Sequence, residues 1–131
     1  MIALDGIHDL LLRRLVESTR ALVIGDPVEP GTDVGPVIDE AAAAKIRQYI
    51  EVGRSEGRLE LACDVPAGLA ERIGKPVIGP HIFSGIQPQH RLACEEIFGP
   101  VLAVLRAADF DQALEIANAS VYKLTGGVFS R

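Results

Sequence analysis

The amino-acid sequence predicts an α/β fold in which helices flank a mostly parallel sheet. Two segments in the first half repeat apolar residues with the period of an amphipathic helix. Shorter segments after them alternate polar and apolar residues or are continuously apolar, as strands are. Near the C-terminus, the order strand–helix–strand predicts a parallel crossover within residues 101–130. The 131 residues are enough for one ordinary domain.

The first element is predicted to be a helix over residues 6–23. Its apolar side is expected to consist of Ile7, Leu11, Leu15 and Leu22. The segment GDPVEPGTDVGP follows, and its prolines remove backbone donors and disfavour a helix. We therefore expect a long loop after the first helix.

A second helix is predicted from an N-cap at Asp39 to about Ser55, with Gly57 as its stop signal. Its inner stripe is expected to be Ala42, Ile46, Tyr49, Ile50 and Gly53. The segment RLELAC, residues 58–63, alternates polar and apolar side chains and predicts a strand with one solvated face.

The remaining strands are predicted on either side of a turn. Residues 76–86 favour an extended segment, which Gly79-Pro80 would limit to a sheet edge or a bend. Residues 101–106, VLAVLR, are apolar with little alternation, as in a strand covered on both faces. We expect residues 125–130 to form a last strand in a sheet that is truncated at both ends.

The helix between these two strands is predicted to start at Asp109, with Gln112 completing a capping box. Its buried stripe is expected to be Phe110, Ala113, Leu114 and Ala117.

Charge and composition argue against several classes of protein. Acidic residues outnumber basic ones, 18 to 13, which disfavours nucleic acid or an anionic membrane as partner. The N-terminal residues lack the basic region of a signal peptide. No uncharged stretch approaches the ~18 residues of a membrane-spanning helix. We expect a cytoplasmic protein.

The thiols and imidazoles do not form an evident site. Cys63 and Cys94 have neither CxxC spacing nor an adjacent histidine, which disfavours a disulfide framework or a metal site. Acidic neighbours destabilise the thiolate that a nucleophile requires, so neither cysteine is expected to be catalytic. His8, His81 and His90 are scattered and are interpreted as structural or solvated residues.

The segment CEEIFGPV carries the densest set of functional groups. Glu95 and Glu96 are adjacent, so they cannot face each other across one substrate as an acid and a base. One carboxylate can accept two hydrogen bonds from a diol, and Phe98 could pack against a ring. The residues alone leave two interpretations open: a ligand-binding loop, or a turn that leads into a strand.

The wider context resembles the aldehyde dehydrogenase superfamily. The similarity runs from RRLVEST and GDPVEPGTDVGPVID through KIRQYIEVGRSEG to CEEIFGPVLAVLR and DFDQALEIANASVYKLTGGVFSR. The segments YIEVGRSEGRLEL and VYKLTGGVFSR are most similar to the branch that oxidises glutamate semialdehyde, the 1-pyrroline-5-carboxylate dehydrogenases of proline catabolism. The resemblance implies that Glu96 binds the nicotinamide-side ribose of NAD, with NADP also possible, and that Phe98 packs near the nicotinamide. Glu95, Gly99 and Pro100 would support that loop.

The resemblance also implies what this chain lacks. The nucleophilic cysteine of the family belongs to a motif that would precede Gly6, and Cys94 does not correspond to it. The general-base glutamate, the Rossmann-like domain and a later substrate-binding loop are not matched either. Lys123 stands where the family pattern has glycine. Residues 1–131 are therefore expected to be one partial domain, the middle portion of a catalytic domain.

Two functional hypotheses follow from the sequence. The first is a segment of an NAD-dependent aldehyde dehydrogenase that is inactive alone and binds NAD weakly or not at all. The alternative is a non-catalytic, self-associating module or a remnant gene product, because a truncated sheet leaves strand edges unpaired. The expected partner is a second copy of the chain or a complementary aldehyde dehydrogenase segment.

Overall fold

The computed structural model describes residues 1–122 and 125–130. The elements follow one another as β1 (Ile2–Leu4), α1 (Asp5–Arg20), α2 (Glu40–Glu56), β2 (Arg58–Ala62), α3 (Leu69–Ile73), β3 (His81–Ser84), α4 (Arg91–Cys94), β4 (Val101–Ala103), β5 (Leu105–Ala107) and α5 (Phe110–Asn118).

The strands form two small sheets. One sheet has the order β2-β3-β4, with β2 antiparallel and β4 parallel to β3. The other is the parallel pair of β1 and β5. Parallel pairing therefore predominates and helices flank the sheets, which confirms the predicted α/β class.

The predicted strand VLAVLR is divided between these two sheets. Val104 separates β4 from β5, is fully buried, and donates its N–H to the carbonyl of Phe83 at 2.8 Å. The apolar run without alternation fits this arrangement, because the chain passes from one sheet to the other within the core.

Helix α1 is present, but the prediction of its buried side was only partly right: Leu15 packs against the core and Leu11 is half-buried. His8 and Leu12 are buried, whereas Ile7 is 54% exposed and Leu22 lies beyond the helix end. The helix turns His8 toward β5, where Arg106 Nη2 lies 2.9 Å from His8 Nδ1. A buried histidine breaks the apolar periodicity, so the sequence pattern placed the inner face about one residue off.

Helix α2 agrees closely with the prediction. The Asp39 side chain accepts a hydrogen bond from the N–H of Ala42 at 2.7 Å, so the predicted N-cap is confirmed. Its buried residues match the predicted stripe except that Ala43 replaces Ala42. Gly53 lets the helix approach β3 closely, since a Cβ there would lie 2.8 Å from Phe83 Cζ.

The segment between β2 and β4 differs from prediction in two ways. The connection contains α3, which lies between Gly68 and Gly74, both at positive φ, and buries Leu69. Strand β3 is central in its sheet instead of lying at an edge. Pro80 precedes the strand and so removes no ladder donor. The backbone there approaches β2 so closely that a Cβ on Gly79 would lie 2.0 Å from the carbonyl oxygen of Cys63.

The C-terminal crossover is only partly formed. Asp109 caps α5 as predicted, accepting from the N–H of Gln112 at 2.8 Å. No residue of α5 is buried, however, and Phe110 is 53% exposed, so the predicted buried stripe was wrong. Residues 125–130 form no strand, contrary to prediction. Lys123 lies outside the described residues.

Candidate functional site

Residues 95–100 form a loop, here called the EEIFGP loop, that leads from α4 to β4. Helix α4 is held at its start by Glu56 of α2. The carboxylate of Glu56 accepts hydrogen bonds from the N–H groups of Arg91 and Leu92, each at 3.0 Å. The beginning of the loop is therefore fixed relative to α2.

Glu95 points inward and serves as an anchor of the loop. Its carboxylate accepts hydrogen bonds from Arg91 Nε at 2.9 Å, from Arg91 Nη2 at 3.1 Å and from the Tyr49 hydroxyl. The Arg91 hydrogen bond, followed by that of Tyr49, lowers the pKa of Glu95 from 4.5 to about 2. Glu95 is thus ionised at neutral pH and fully engaged, which suits a structural anion and not an acid catalyst.

Tyr49 is fixed by the same cluster. Its ring lies 5.4 Å from the Arg91 guanidinium carbon and 5.8 Å from Lys45 Nζ, within the range of cation–π attraction. The hydrogen bond to Glu95 raises the pKa of the Tyr49 phenol, so the hydroxyl remains a donor. Sequence reasoning did not find these partners, although Lys45 with Tyr49 and Arg91 with Glu95 both show the one-turn spacing that brings side chains together.

Glu96 and Phe98, the two predicted cofactor-binding residues, lie on the exposed side of the loop. Phe98 is 85% exposed and has φ 60°, a left-handed conformation that non-glycine residues rarely adopt. The carboxylate of Glu96 has no hydrogen bond or ion pair to the part of the chain that the structure describes. Its backbone is held instead, because its carbonyl accepts from Lys45 Nζ at 2.8 Å and its N–H donates to the Tyr122 hydroxyl at 3.3 Å.

The end of the loop is fixed against the core, as the resemblance implied for Gly99 and Pro100. A Cβ on Gly99 would lie 2.5 Å from Ile46 Cδ1, so only glycine fits at this distance from α2. The carbonyl of Pro100 accepts from the N–H of His81 at 2.8 Å. The loop is thus anchored at both ends, and Glu96 and Phe98 project between the anchors.

The two thiols are held by backbone carbonyls and not by imidazoles. Cys94 is exposed and its Sγ donates to the carbonyl of Pro88 at 2.9 Å. Cys63 is half-buried, and burial raises the pKa of its thiol. Neither sulfur has a histidine partner in the hydrogen-bonded contacts of residues 1–122 and 125–130. The described part of the chain also shows no cluster of three potential metal ligands and no helix able to cross a membrane.

An open cleft of about 240 Å³ adjoins the end of the EEIFGP loop. Gly99 and Pro100 line it together with Thr19, His81 and Leu102, but Glu96 and Phe98 do not. The two predicted binding residues therefore present their side chains to open solvent on this chain.

Comparison with known proteins places these features in a family. The sequence profile of the aldehyde dehydrogenase family matches residues 1–131. The 1-pyrroline-5-carboxylate dehydrogenase of Geobacillus thermodenitrificans (strain NG80-2) is 46% identical over 130 residues, covering 99% of this chain and 24% of the relative. The chain thus spans about a quarter of the length of such relatives.

Solved structures share the fold as well. Proline utilization A from Bdellovibrio bacteriovorus superposes with a TM-score of 0.90 at 40% identity, over 98% of this chain and 13% of that protein. The 1-pyrroline-5-carboxylate dehydrogenase from Thermus with bound NAD superposes with a TM-score of 0.86 at 40% identity, over 99% of this chain and 24% of that one. On the match across its whole length and on this shared fold, the chain belongs to the aldehyde dehydrogenase family.

Proposed function

We propose that this chain is the part of an NAD-dependent aldehyde dehydrogenase that carries the cofactor-facing EEIFGP loop. The activity proposed for the assembled enzyme is oxidation of glutamate semialdehyde, formed from 1-pyrroline-5-carboxylate, to glutamate in proline catabolism. The observation that carries the proposal is that the side chains of Glu96 and Phe98 both project into solvent from a loop that is anchored at both ends. The similarity to 1-pyrroline-5-carboxylate dehydrogenases supports the choice of substrate.

The two side chains have the chemistry that the proposal requires. An ionised carboxylate accepts two hydrogen bonds from the neighbouring hydroxyls of a ribose, which is the role proposed for Glu96. The aromatic ring of Phe98 offers an apolar face for packing against the nicotinamide. When bound, the nicotinamide of NAD, or alternatively of NADP, accepts the hydride. The contribution of this chain is to orient the ring, and no residue of the chain is proposed as the nucleophile or the general base.

The experiment is a chimera in which this chain replaces the matching quarter of the Geobacillus thermodenitrificans relative. The chimera should form NADH from 1-pyrroline-5-carboxylate, whereas the isolated chain assayed in parallel should form none. Glu96→Gln should lower kcat/KM for NAD by roughly 10- to 100-fold, the effect of losing hydrogen bonds to a charged group.

Glu71→Gln is the matched control, because Glu71 is an exposed carboxylate on α3. It should leave NAD kinetics unchanged. An unchanged kcat/KM in Glu96→Gln would contradict the proposed contact with the ribose. Turnover by the isolated chain carrying Cys63→Ala and Cys94→Ala would show that an active centre lies elsewhere in this segment.

The alternative proposal is a self-associating, non-catalytic module. A specific observation favours it: Phe110 and Leu114 of α5 are 53% and 40% exposed, and Val128 and Phe129 of the following segment are 70% and fully exposed. Such a surface fits a second copy of this chain or a complementary aldehyde dehydrogenase segment as partner. In either case we propose that residues 1–131 form one partial domain of a cytoplasmic protein.

A further inference from the structure

We propose that Lys45 and Tyr49 of α2 are positioning residues that determine the direction in which Glu96 and Phe98 project. The inference rests on the proposed function, since it assigns to α2 the task of presenting the cofactor-facing loop. It concerns two residues that lie outside the EEIFGP loop and bond to its Glu96 carbonyl and its Glu95 carboxylate.

Two contacts join α2 to consecutive residues of the loop. Lys45 Nζ donates to the carbonyl oxygen of Glu96 at 2.8 Å, across 51 residues of sequence. The Tyr49 hydroxyl donates to the carboxylate of Glu95, across 46 residues. Lys45 and Tyr49 are four residues apart and therefore lie on one face of the helix. A single helix face thus holds the loop at a side chain and at the next peptide group.

The inward anchoring of Glu95 dictates where Glu96 points. Glu95 has an extended backbone, with φ −108° and ψ 145°. Successive side chains of an extended backbone leave it on opposite sides. Because the Tyr49 hydroxyl holds the Glu95 carboxylate toward α2, the Glu96 carboxylate is directed away from α2.

Charge explains why Glu95 is the carboxylate that turns inward. Lys45 of α2 and Arg91 of α4 both lie over the Tyr49 ring, so the surface under the loop, where the two helices meet, is cationic. The Glu95 carboxylate is the anion bound there, with Arg91 as a bidentate donor. With this site filled by Glu95, Lys45 bonds to the Glu96 carbonyl and the Glu96 carboxylate remains available to a ligand.

Phe98 requires the same support. Its φ of 60° is unfavourable for a residue with a Cβ, so the flanking contacts must maintain it. Lys45 holds the chain two residues before Phe98, and one residue after it Gly99 lies so close to α2 that a Cβ there would be 2.5 Å from Ile46 Cδ1. Both restraints come from α2, which makes this helix the support for the exposed ring.

The test uses NMR of the full 131-residue chain with Lys45→Met and Tyr49→Phe. Each substitution should shift the amide resonances of residues 96–99. Each variant should remain folded at the temperature of the measurement, which its thermal unfolding midpoint checks. Arg47→Met is the matched control, because Arg47 lies on the exposed side of α2 and forms an ion pair with Glu40 at 3.8 Å, away from the loop. Lys45→Arg should restore the resonances, since a guanidinium can also donate to the carbonyl.

A second measurement starts from the wild-type chain, and its first result needs no variant. In the wild-type chain, the carboxyl ¹³C resonance of Glu95 should titrate with a pKa near the value of about 2 that its donors impose, and this pKa should rise in Tyr49→Phe. A Glu95 carboxyl that titrates near 4.5, or loop resonances unmoved by Lys45→Met and Tyr49→Phe, would overturn the assignment.

Failure of this inference is distinguishable from failure of the proposed function. In the chimeric enzyme, Lys45→Met should raise KM for NAD roughly fivefold, the effect of one lost hydrogen bond. If the loop resonances move but neither Lys45→Met nor Glu96→Gln alters NAD kinetics, α2 still positions the loop and the proposed cofactor role is the part that fails.

Discussion

Gly53 shows how strongly one residue determines the approach of α2 to the sheet. A Cβ at this position would lie 2.8–2.9 Å from the ring carbons of Phe83, a side chain that is fully buried and cannot move away. Gly53→Ala should therefore lower the free energy of unfolding by about 1–3 kcal/mol, the usual cost of overpacking. Urea denaturation measures the change.

Gly6→Ala is the matched control for Gly53→Ala, because Gly6 also lies in a helix and a Cβ there meets nothing within 4 Å. It should stabilise the chain by about 0.5–1 kcal/mol, as alanine does in an open helical position. If both substitutions change stability in the same direction, the close contact with Phe83 does not decide the effect.

Glu95 should make the stability of the chain depend on pH at the acid end. Its donors depress its pKa in the folded chain from 4.5 to about 2, so the ionised form stabilises the fold. This stabilisation is fully present above pH 4.5 and is lost as the pH falls through about 2. Urea midpoints measured over this range should fall with pH, and less steeply in Glu95→Gln than in the wild type.

Glu96→Gln is the control for the pH experiment, because its carboxylate is exposed and holds no partner within the described residues. It should preserve the slope of the wild type. A wild-type slope that persists in Glu95→Gln would assign the acid dependence to another carboxylate, such as Asp9, whose pKa is also lowered, first by its hydrogen bond with His8.

Among the helices and strands, features that depend on neighbouring residues were predicted correctly, whereas features that depend on tertiary contacts were not. The N-caps Asp39 and Asp109 were predictable because a cap depends on residues within one turn. The inner face of α1 was not, because the pairing of His8 with Arg106 joins residues 98 positions apart. The same limit applies to VLAVLR, where the sequence shows burial but not the change of sheet at Val104.

The loop illustrates the same division within the candidate site. The sequence identified Glu96 and Phe98 as binding candidates through a resemblance, and the structure exposes both. The sequence did not identify Lys45 or Tyr49, because their contacts with the loop form only when α2 packs beneath it. Arg91 was missed although its spacing from Glu95 is local. Motif recognition finds the residues that would meet a ligand, whereas the residues that orient them depend on tertiary contacts.

For the whole molecule, the main feature is an apolar surface that the chain leaves uncovered. The pattern of α5 is that of a helix with a buried face, yet Phe110 and Leu114 are 53% and 40% exposed. Val128 and Phe129 follow without a covering element. The chain spans about a quarter of the length of its relatives. The α5 sequence therefore has the pattern of a helix with a buried face, but the residues that the structure describes do not cover that face.

This mismatch predicts self-association of the isolated chain. Exposed apolar surface of this kind favours a contact with a second copy, since burial gains about 25 cal/mol per Å². Light scattering should give a mass above the 14.0 kDa of one chain, rising with concentration. Phe110→Glu with Leu114→Lys should return the mass to that of a monomer, because charges on α5 would have to be desolvated in the contact.

A charge-matched control separates this surface from a general effect of charge. Gln48→Glu with Ala44→Lys places the same two charges on the exposed side of α2, where no apolar stripe lies. This variant should associate as the wild type does. If it also becomes monomeric, added surface charges in general and not the α5 face control association, and if the wild type is monomeric at every concentration, the exposed α5 face does not drive association.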